Sequence, residues 1–295
     1  MHIGMKLKVP SLLLFAIAFG SCYASSHYQN SQIQLSHLQR HTETLLDQAQ
    51  TQISVHLTHS ERLIQRRAKI RVPASYALIA HAYAGAIEIS GGTMWILEQL
   101  AMAHIVDHDF NYEGCEKDYT NYIANGITQS AHDRGFVQLS LQAYGAKIGG
   151  ACGGFDVSEI IAYDMVRDVQ RLMQASMMLV YLHELGHHVL GHVDRIPDAL
   201  DNVRQLEAAA DAWTIEVAYR SGINVLDGVP ALNLIAALNA GKQRDENTLT
   251  HPHGLERIRN MTHRAIAILA SQGKADIVGW LNNNLLQIER KMPGS

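Results

Sequence analysis

The stretch best equipped for chemistry is residues 180–192, which contains His183-Glu184-x-x-His187. On a helix, histidines four residues apart project from the same face and can bind one metal ion. In sites of this kind two neutral imidazoles hold Zn²⁺, an open coordination position carries water, and the glutamate takes the proton of that water as it attacks a carbonyl carbon. The motif therefore predicts a hydrolytic metal site with Glu184 as general base.

The chain has 17 histidines, so this motif could arise by chance. The residues that surround it argue against a chance match. Residues 176–182 are almost wholly apolar, which predicts a helix buried on all sides. Histidines that enter such a core need polar partners, and a metal ion would supply one. A third ligand must then come from elsewhere in the chain.

The predicted third ligand is Glu207, on a helix expected to span 200–219 and to end at Gly222. Twenty residues separate it from His187, which leaves room for a short turn and an antiparallel return. The alanines at 208–210 would let the two helices approach closely. Asp211, one turn later, could accept a hydrogen bond from the outer nitrogen of a ligating histidine. The alternative is a surface acidic pair on an alanine-rich helix.

A third histidine ligand is disfavoured because Leu190 and Val193 occupy the positions where that pattern needs glycine and histidine. On a continuous helix His192 would point away from the metal face. We therefore expect His188 and His192 to be polar partners of neighbouring loops. The remaining arrangement, with a glutamate as third ligand, is called a gluzincin site.

The elements around the motif predict a mainly helical α+β fold with a small β edge and an active-site helix pair. Residues 31–69 indicate one long or two consecutive amphipathic helices, which could pack on the catalytic unit or bind an envelope protein partner. Residues 86–90 are the candidate edge strand for pairing with a substrate peptide, or else part of a core hairpin. A turn at Gly91-Gly92 and a helix over 95–106 should follow.

The predicted domain organisation has a signal peptide over 1–24, a helical N-terminal arm over 25–72 and a metallopeptidase domain over 73–295. An insertion over about 107–156 within the last domain is expected to be either a lid or structural filler.

The N-terminus has the pattern of an export signal. Lys6 and Lys8 precede an apolar run over 12–19, and small residues allow cleavage after Ala24. The run is shorter than the ~20 residues of a membrane-spanning helix, so we expect a periplasmic or secreted mature chain with no transmembrane segment. Lipidation at Cys22 is the less favoured alternative because Phe19 stands where a leucine is usual.

Charge and cysteine content narrow the function further. The net charge of −4, from 24 basic and 28 acidic residues, indicates no nucleic-acid partner. Protein or peptide substrates are expected instead. Cleavage after Ala24 would leave Cys115 and Cys152, for which a disulfide is predicted in an oxidising compartment. The alternative is two independent buried thiols.

Three ordered motifs, 183–192, Glu207-x-x-x-Asp211 and 250–258, resemble the HtpX-like and BepA-like zinc metallopeptidases, the family that includes the CAAX prenyl proteases. Residues 91–94 also resemble the strand before that family's catalytic helix, so the resemblance spans about 80–265. It implies one Zn²⁺ per chain, bound by His183, His187 and Glu207. Glu184 would act as base and then as proton donor to the leaving amine, with Asp211 as the orienting carboxylate.

The resemblance also implies roles for His251 and Arg257. His251 could approach the metal as a regulatory fourth ligand or could stabilise the tetrahedral oxyanion. Arg257 could fix that loop or assist the same oxyanion. The chain differs from the family in its expected lack of membrane spans, in the stretch 107–156 and in having no tetratricopeptide repeat.

The predicted function is that of an exported zinc endopeptidase that cleaves misfolded or envelope proteins. One alternative is a non-catalytic zinc-binding chaperone or adaptor, in which His251 closes the metal site as a permanent fourth ligand. Another is a toxin or immunity-type peptidase directed at another cell.

Overall fold

The computed structural model describes residues 31–130, 138–194, 200–240 and 254–289. Within these ranges the chain is mainly helical with one small sheet, which confirms the predicted fold class. None of the helices in these ranges has the length and apolarity needed to cross a membrane. The predicted signal peptide and His251 lie outside the described residues.

The described residues form helices α1–α11 and strands β1–β3. The helices are α1 (Ser31–Ser54), α2 (His59–Arg67), α3 (Gly91–Asp109), α4 (Cys115–Ser130), α5 (Leu141–Lys147), α6 (Val157–Ala162), α7 (Val166–Val189), α8 (Leu200–Arg220), α9 (Val229–Ala240), α10 (Gly254–Ser271) and α11 (Ala275–Glu289). The strands are β1 (Lys69–Arg71), β2 (Ala80–Tyr83) and β3 (Ala86–Ile89).

The N-terminal stretch forms two consecutive helices, one of the two predicted arrangements. Thr58 begins α2 with a capping box, in which its side chain accepts from the backbone N–H of Glu61 and its own N–H donates to the Glu61 carboxylate. The same carboxylate accepts hydrogen bonds from Trp213 and Arg220 on α8. These contacts tie α2 to the helix that carries Glu207, so the N-terminal helices pack on the rest of the fold.

The sheet has the order β1-β3-β2, with β3 parallel to β1 and antiparallel to β2. The candidate edge at residues 86–90 is therefore wrong, because β3 is the central strand. The alternative of a hairpin is the one observed, since β2 and β3 pair antiparallel with Tyr83 opposite Ala86. The parallel partner of β3, strand β1, is formed by residues 69–71, which the sequence analysis placed at the end of the helical N-terminal arm. Among the described strands, β1 and β2 are the edges.

Gly91 and Gly92 are the first residues of α3 and not a separate turn. Ser90 caps this helix, and its side chain accepts from the N–H of Thr93 at 3.1 Å. A Cβ atom at Gly92 would lie 2.3 Å from the carbonyl oxygen of Tyr76, so only glycine fits this close backbone approach. The helix therefore spans Gly91–Asp109, longer at both ends than the predicted 95–106.

The described part of the stretch 107–156 contributes side chains to the core. Cys115, Tyr119 and Ile123 on α4 are fully buried, and Tyr119 donates to the carbonyl of Leu139 at 2.7 Å. The predicted disulfide joins Cys115 to Cys152 across a sequence separation of 37. In the loop-entropy treatment a cross-link of this length stabilises a fold by about 4 kcal/mol. Packing and cross-linking both favour a structural role for these residues over that of a lid.

Candidate metal centre

The three predicted metal ligands meet between α7 and α8. The Nε2 atoms of His183 and His187 lie 3.2 Å apart, as expected for one face of a helix. Glu207 reaches across from α8, with Oε2 3.2 Å from His183 Nε2 and Oε1 3.3 Å from His187 Nε2. Two imidazole nitrogens and one carboxylate thus converge on a common point, and together they could hold a metal ion.

The spacing of these atoms can be compared with that of a zinc site. Zinc bonds of about 2.0–2.1 Å in a tetrahedron place neighbouring donor atoms about 3.3–3.4 Å apart. The two imidazole nitrogens lie 3.2 Å apart, and the two oxygens of Glu207 divide the remaining contacts, with Oε2 3.2 Å from His183 Nε2 and Oε1 3.3 Å from His187 Nε2. Two neutral imidazoles with one carboxylate also form a donor set that suits Zn²⁺ and leaves a fourth position for other atoms. The side chains therefore fit zinc in both chemistry and spacing.

Close contact between the two helices depends on small residues. A Cβ atom at Gly186 would lie 3.2 Å from the ring of Trp213 and 3.3 Å from the carbonyl oxygen of Ala210. Because His183 meets Asp211 while His187 meets Glu207, the helices run antiparallel, as predicted. Glu207 and Asp211 are each only 5% exposed, so the alternative of a surface acidic pair is wrong.

Asp211 lies on the far side of His183 from the converging donors. Its Oδ1 is 2.9 Å from Nδ1 of His183, and Arg257 donates to both of its oxygens, from Nε at 2.8 Å and from Nη2 at 2.7 Å. Burial would raise the pKa of Asp211, but hydrogen bonds from Arg257 and His183 outweigh it and lower that pKa. Asp211 is therefore a charged acceptor that can fix the ring of His183 with Nε2 directed at the metal position.

The site attracts positive charge. Burial lowers the pKa of His183, but hydrogen bonds to Asp211 and Glu207 more than offset this and raise it to about 9. Carboxylates that stabilise an extra proton on this ring would also stabilise a cation in its place, with release of that proton.

Glu184 belongs to the same group of charges. It is 9% exposed, next to His183 in sequence, and its charge acts with those of Asp211 and Glu207 to raise the pKa of Arg257 against the effect of burial. The charge of the predicted base therefore acts on Arg257, which pairs with Asp211 beside His183.

Arg257 is buried, and its contacts do not match the role at the oxyanion that the resemblance implies. Its two short hydrogen bonds go to Asp211, and Nη2 lies 3.4 Å from Nδ1 of His183, the nitrogen that faces away from the metal position. Its distance to Glu207 is 3.9 Å. These contacts place the guanidinium behind the ligands. A role at the oxyanion stays a prediction without geometric support.

His192 lies beside the candidate metal centre, a position that the sequence analysis did not predict. The N–H of His192 bonds to the carbonyl of His187, and the N–H of Gly191 bonds to that of His188. With Gly191 at φ +68°, this is the Schellman ending of a helix. The turn brings Nδ1 of His192 to 3.2 Å from Nδ1 of His187, the outer nitrogen of a ligand.

The expectation for His192 was therefore wrong, because it assumed that the helix continues. The signal that could have revealed the contact is Gly191 itself, which is typical of the position after a helix end. His188 bonds to strand β3 and not to a loop, with Nε2 2.9 Å from the carbonyl of Ala86. This contact fixes the sheet against α7.

Comparison with known proteins adds one finding. Residues 157–268 match the family model of peptidase U49. The matched segment is less than half of the chain, yet it contains both helices of the metal centre and Arg257. The match supports a peptidase, whereas the finer assignment to the HtpX-like and BepA-like enzymes stays a prediction. No curated protein and no solved structure shows significant similarity to the chain.

Proposed function

We propose that this protein is a zinc-dependent endopeptidase whose metal ligands are His183, His187 and Glu207. The observation that carries the proposal is the convergence, at 3.2–3.3 Å, of two imidazole nitrogens from α7 and the Glu207 carboxylate from α8. A buried glutamate, Glu184, directly follows His183 on α7. The peptidase U49 match over the same segment supports the reaction class. When bound, Zn²⁺ would supply Lewis-acid chemistry that activates water and polarises the peptide carbonyl.

Residues of the chain itself transfer the proton and hold the ligating histidines in place. Glu184 accepts the proton of the attacking water on its carboxylate and returns it to the amide nitrogen as the carbon–nitrogen bond breaks. Asp211 holds the Nδ1–H of His183, and His192 holds that of His187. Arg257 balances the charge of Asp211 and acts through it, which makes Arg257 a positioning residue. His251 keeps its two predicted roles as a proposal.

The proposed setting is the periplasm or the extracellular space, with misfolded or envelope proteins as substrates. The Cys115–Cys152 disulfide supports an oxidising compartment. Binding of an envelope protein through residues 31–69 is also a proposal. The faces of these helices that meet α3 and α7 are already occupied, so a partner would have to use the outer face.

The proposed function is tested by removing and restoring the metal. The purified chain should contain zinc and cleave an unfolded protein such as labelled casein at internal bonds. A chelator such as 1,10-phenanthroline should abolish cleavage, and added Zn²⁺ should restore it, because the nucleophilic water is activated only with the ion in place. Mg²⁺ should not restore it, since imidazole-rich sites disfavour that ion. A chain that binds zinc but cleaves no unfolded protein would contradict the proposal.

His192→Ala is expected to weaken zinc binding by about 10–100-fold, the usual effect of losing a partner of a ligating histidine. His192→Asn should recover much of the loss, because its amide oxygen can also accept from Nδ1 of His187. Zinc affinity measured by competition with a chelator checks both variants. His188→Ala is the matched control, since that ring bonds to Ala86 and not to a ligand. Equal affinities in His192→Ala and in the unaltered chain would remove His192 from the site.

A further inference from the structure

A second cluster of potential metal ligands lies outside the proposed active site. His104 and His108 stand one turn apart on α3, and Glu116 is the second residue of α4. His104 Nδ1 lies 2.9 Å and His108 Nε2 3.5 Å from the same oxygen, Oε2 of Glu116. The imidazole rings are 4.4 Å apart between centroids. One carboxylate oxygen therefore faces nitrogens of both rings, and the three side chains could hold a metal ion.

The carboxylate of Glu116 is held in this orientation by its neighbours. Its other oxygen, Oε1, accepts a hydrogen bond from Nδ2 of Asn233 on α9 at 2.7 Å. The backbone N–H of Glu116 donates to Asp107 at 2.9 Å, and the disulfide anchors the preceding residue, Cys115. An oriented ligand with a partner behind it is typical of metal sites, where such outer contacts fix the ligand geometry.

The three side chains of the cluster differ in solvent exposure. The side chains of Glu116, His104 and His108 are 11%, 24% and 58% exposed, so solvent reaches the cluster from the side of His108. A hydrogen bond between His104 and Glu116 explains the 2.9 Å contact without a metal ion. It does not explain the position of His108, whose largely exposed ring could point into solvent but instead faces the same oxygen.

We propose that His104, His108 and Glu116 bind a second divalent transition-metal ion of borderline character, such as Zn²⁺. The ion would take the place of the hydrogen bond between His104 Nδ1 and Glu116 Oε2. His104 would bind it as the neutral tautomer that carries its proton on Nε2. Two imidazoles select against Mg²⁺ and Ca²⁺, which prefer oxygen ligands. Because the ligands join α3 to α4 and Asn233 adds α9, the ion would cross-link three helices. This site goes beyond the proposed peptidase function and does not depend on it.

The test compares zinc per chain, by elemental analysis after buffer exchange, in the unaltered full-length chain and in His108→Ala. We expect two zinc ions per chain to fall to one, with cleavage of unfolded protein retained. If the active site binds no zinc, the expected change is from one to none, so the two proposals fail separately. His59→Ala, which removes an exposed histidine on α2, should leave the zinc content unchanged.

Two further variants address affinity. Titration with ZnCl₂ should show second-site binding weakened by at least about 100-fold in Glu116→Gln and by about 10–100-fold in Asn233→Ala. Should Glu116→Gln fail to fold, His108→Ala still decides the question, because its largely exposed side chain can be removed with little loss of packing. Equal zinc content and equal affinity in the unaltered chain and in His108→Ala would overturn the second site.

Discussion

Glu184→Gln is expected to lower the rate of cleavage of an unfolded protein by about 10²- to 10⁴-fold, the usual contribution of a general base. The substitution keeps the size of the side chain but removes its ability to accept the proton of the attacking water and to return it to the leaving nitrogen. Zinc content should not change, because the three converging donor atoms belong to His183, His187 and Glu207. The measurement is the initial rate of cleavage at saturating zinc, together with elemental analysis.

The control for this variant is Glu43→Gln, which makes the same chemical change at an exposed position on α1. It should cleave at the rate of the unaltered chain. Glu184→Gln should also keep the far-ultraviolet circular dichroism and the thermal midpoint of the unaltered chain, because its partner charge Arg257 remains paired with Asp211. Undiminished proteolysis in the zinc-loaded variant would rule out Glu184 as the base.

The helix pair of the candidate metal centre could be predicted because its constraints are local. Two histidines four residues apart share a helix face whatever the rest of the chain does. Glu207 follows after a spacing that fits a turn and an antiparallel return, and the small residues at 208–210 permit close packing. These relations depend on helix geometry and side-chain size alone, so the sequence carries them in full.

The errors of the sequence analysis concern helix ends and the pairing of distant segments. His192 was misplaced because one αL glycine converts a helix position into a return turn. His104 and His108 were not recognised as a pair because the predicted helix stopped at 106, before the second histidine. β3 was misjudged because parallel pairing with residues 69–71 is a tertiary contact with no local pattern. Helix boundaries and strand order thus account for the main errors.

The second large effect is expected for Glu207→Gln, which should weaken zinc binding by at least about 100-fold, since a ligand matters more than the partners behind it. The amide oxygen that replaces the carboxylate is uncharged, so it no longer offsets the charge of the ion. Cleavage should be lost at stoichiometric zinc and should recover in part as zinc is added in excess. This recovery distinguishes a ligand from a base, because Glu184→Gln should stay inactive at every zinc concentration.

Glu216→Gln is the matched control for the ligand variant, since Glu216 lies on the same helix and pairs with Arg264 at a partly exposed position. It should bind zinc and cleave protein like the unaltered chain. Folding of Glu207→Gln should be preserved, because Arg257 keeps both hydrogen bonds to Asp211 when the 3.9 Å contact to Glu207 is lost. A Glu207→Gln chain with normal zinc affinity would show that the third ligand lies elsewhere. The convergence of α7 and α8 would then be a packing feature, and the gluzincin arrangement would fail with it.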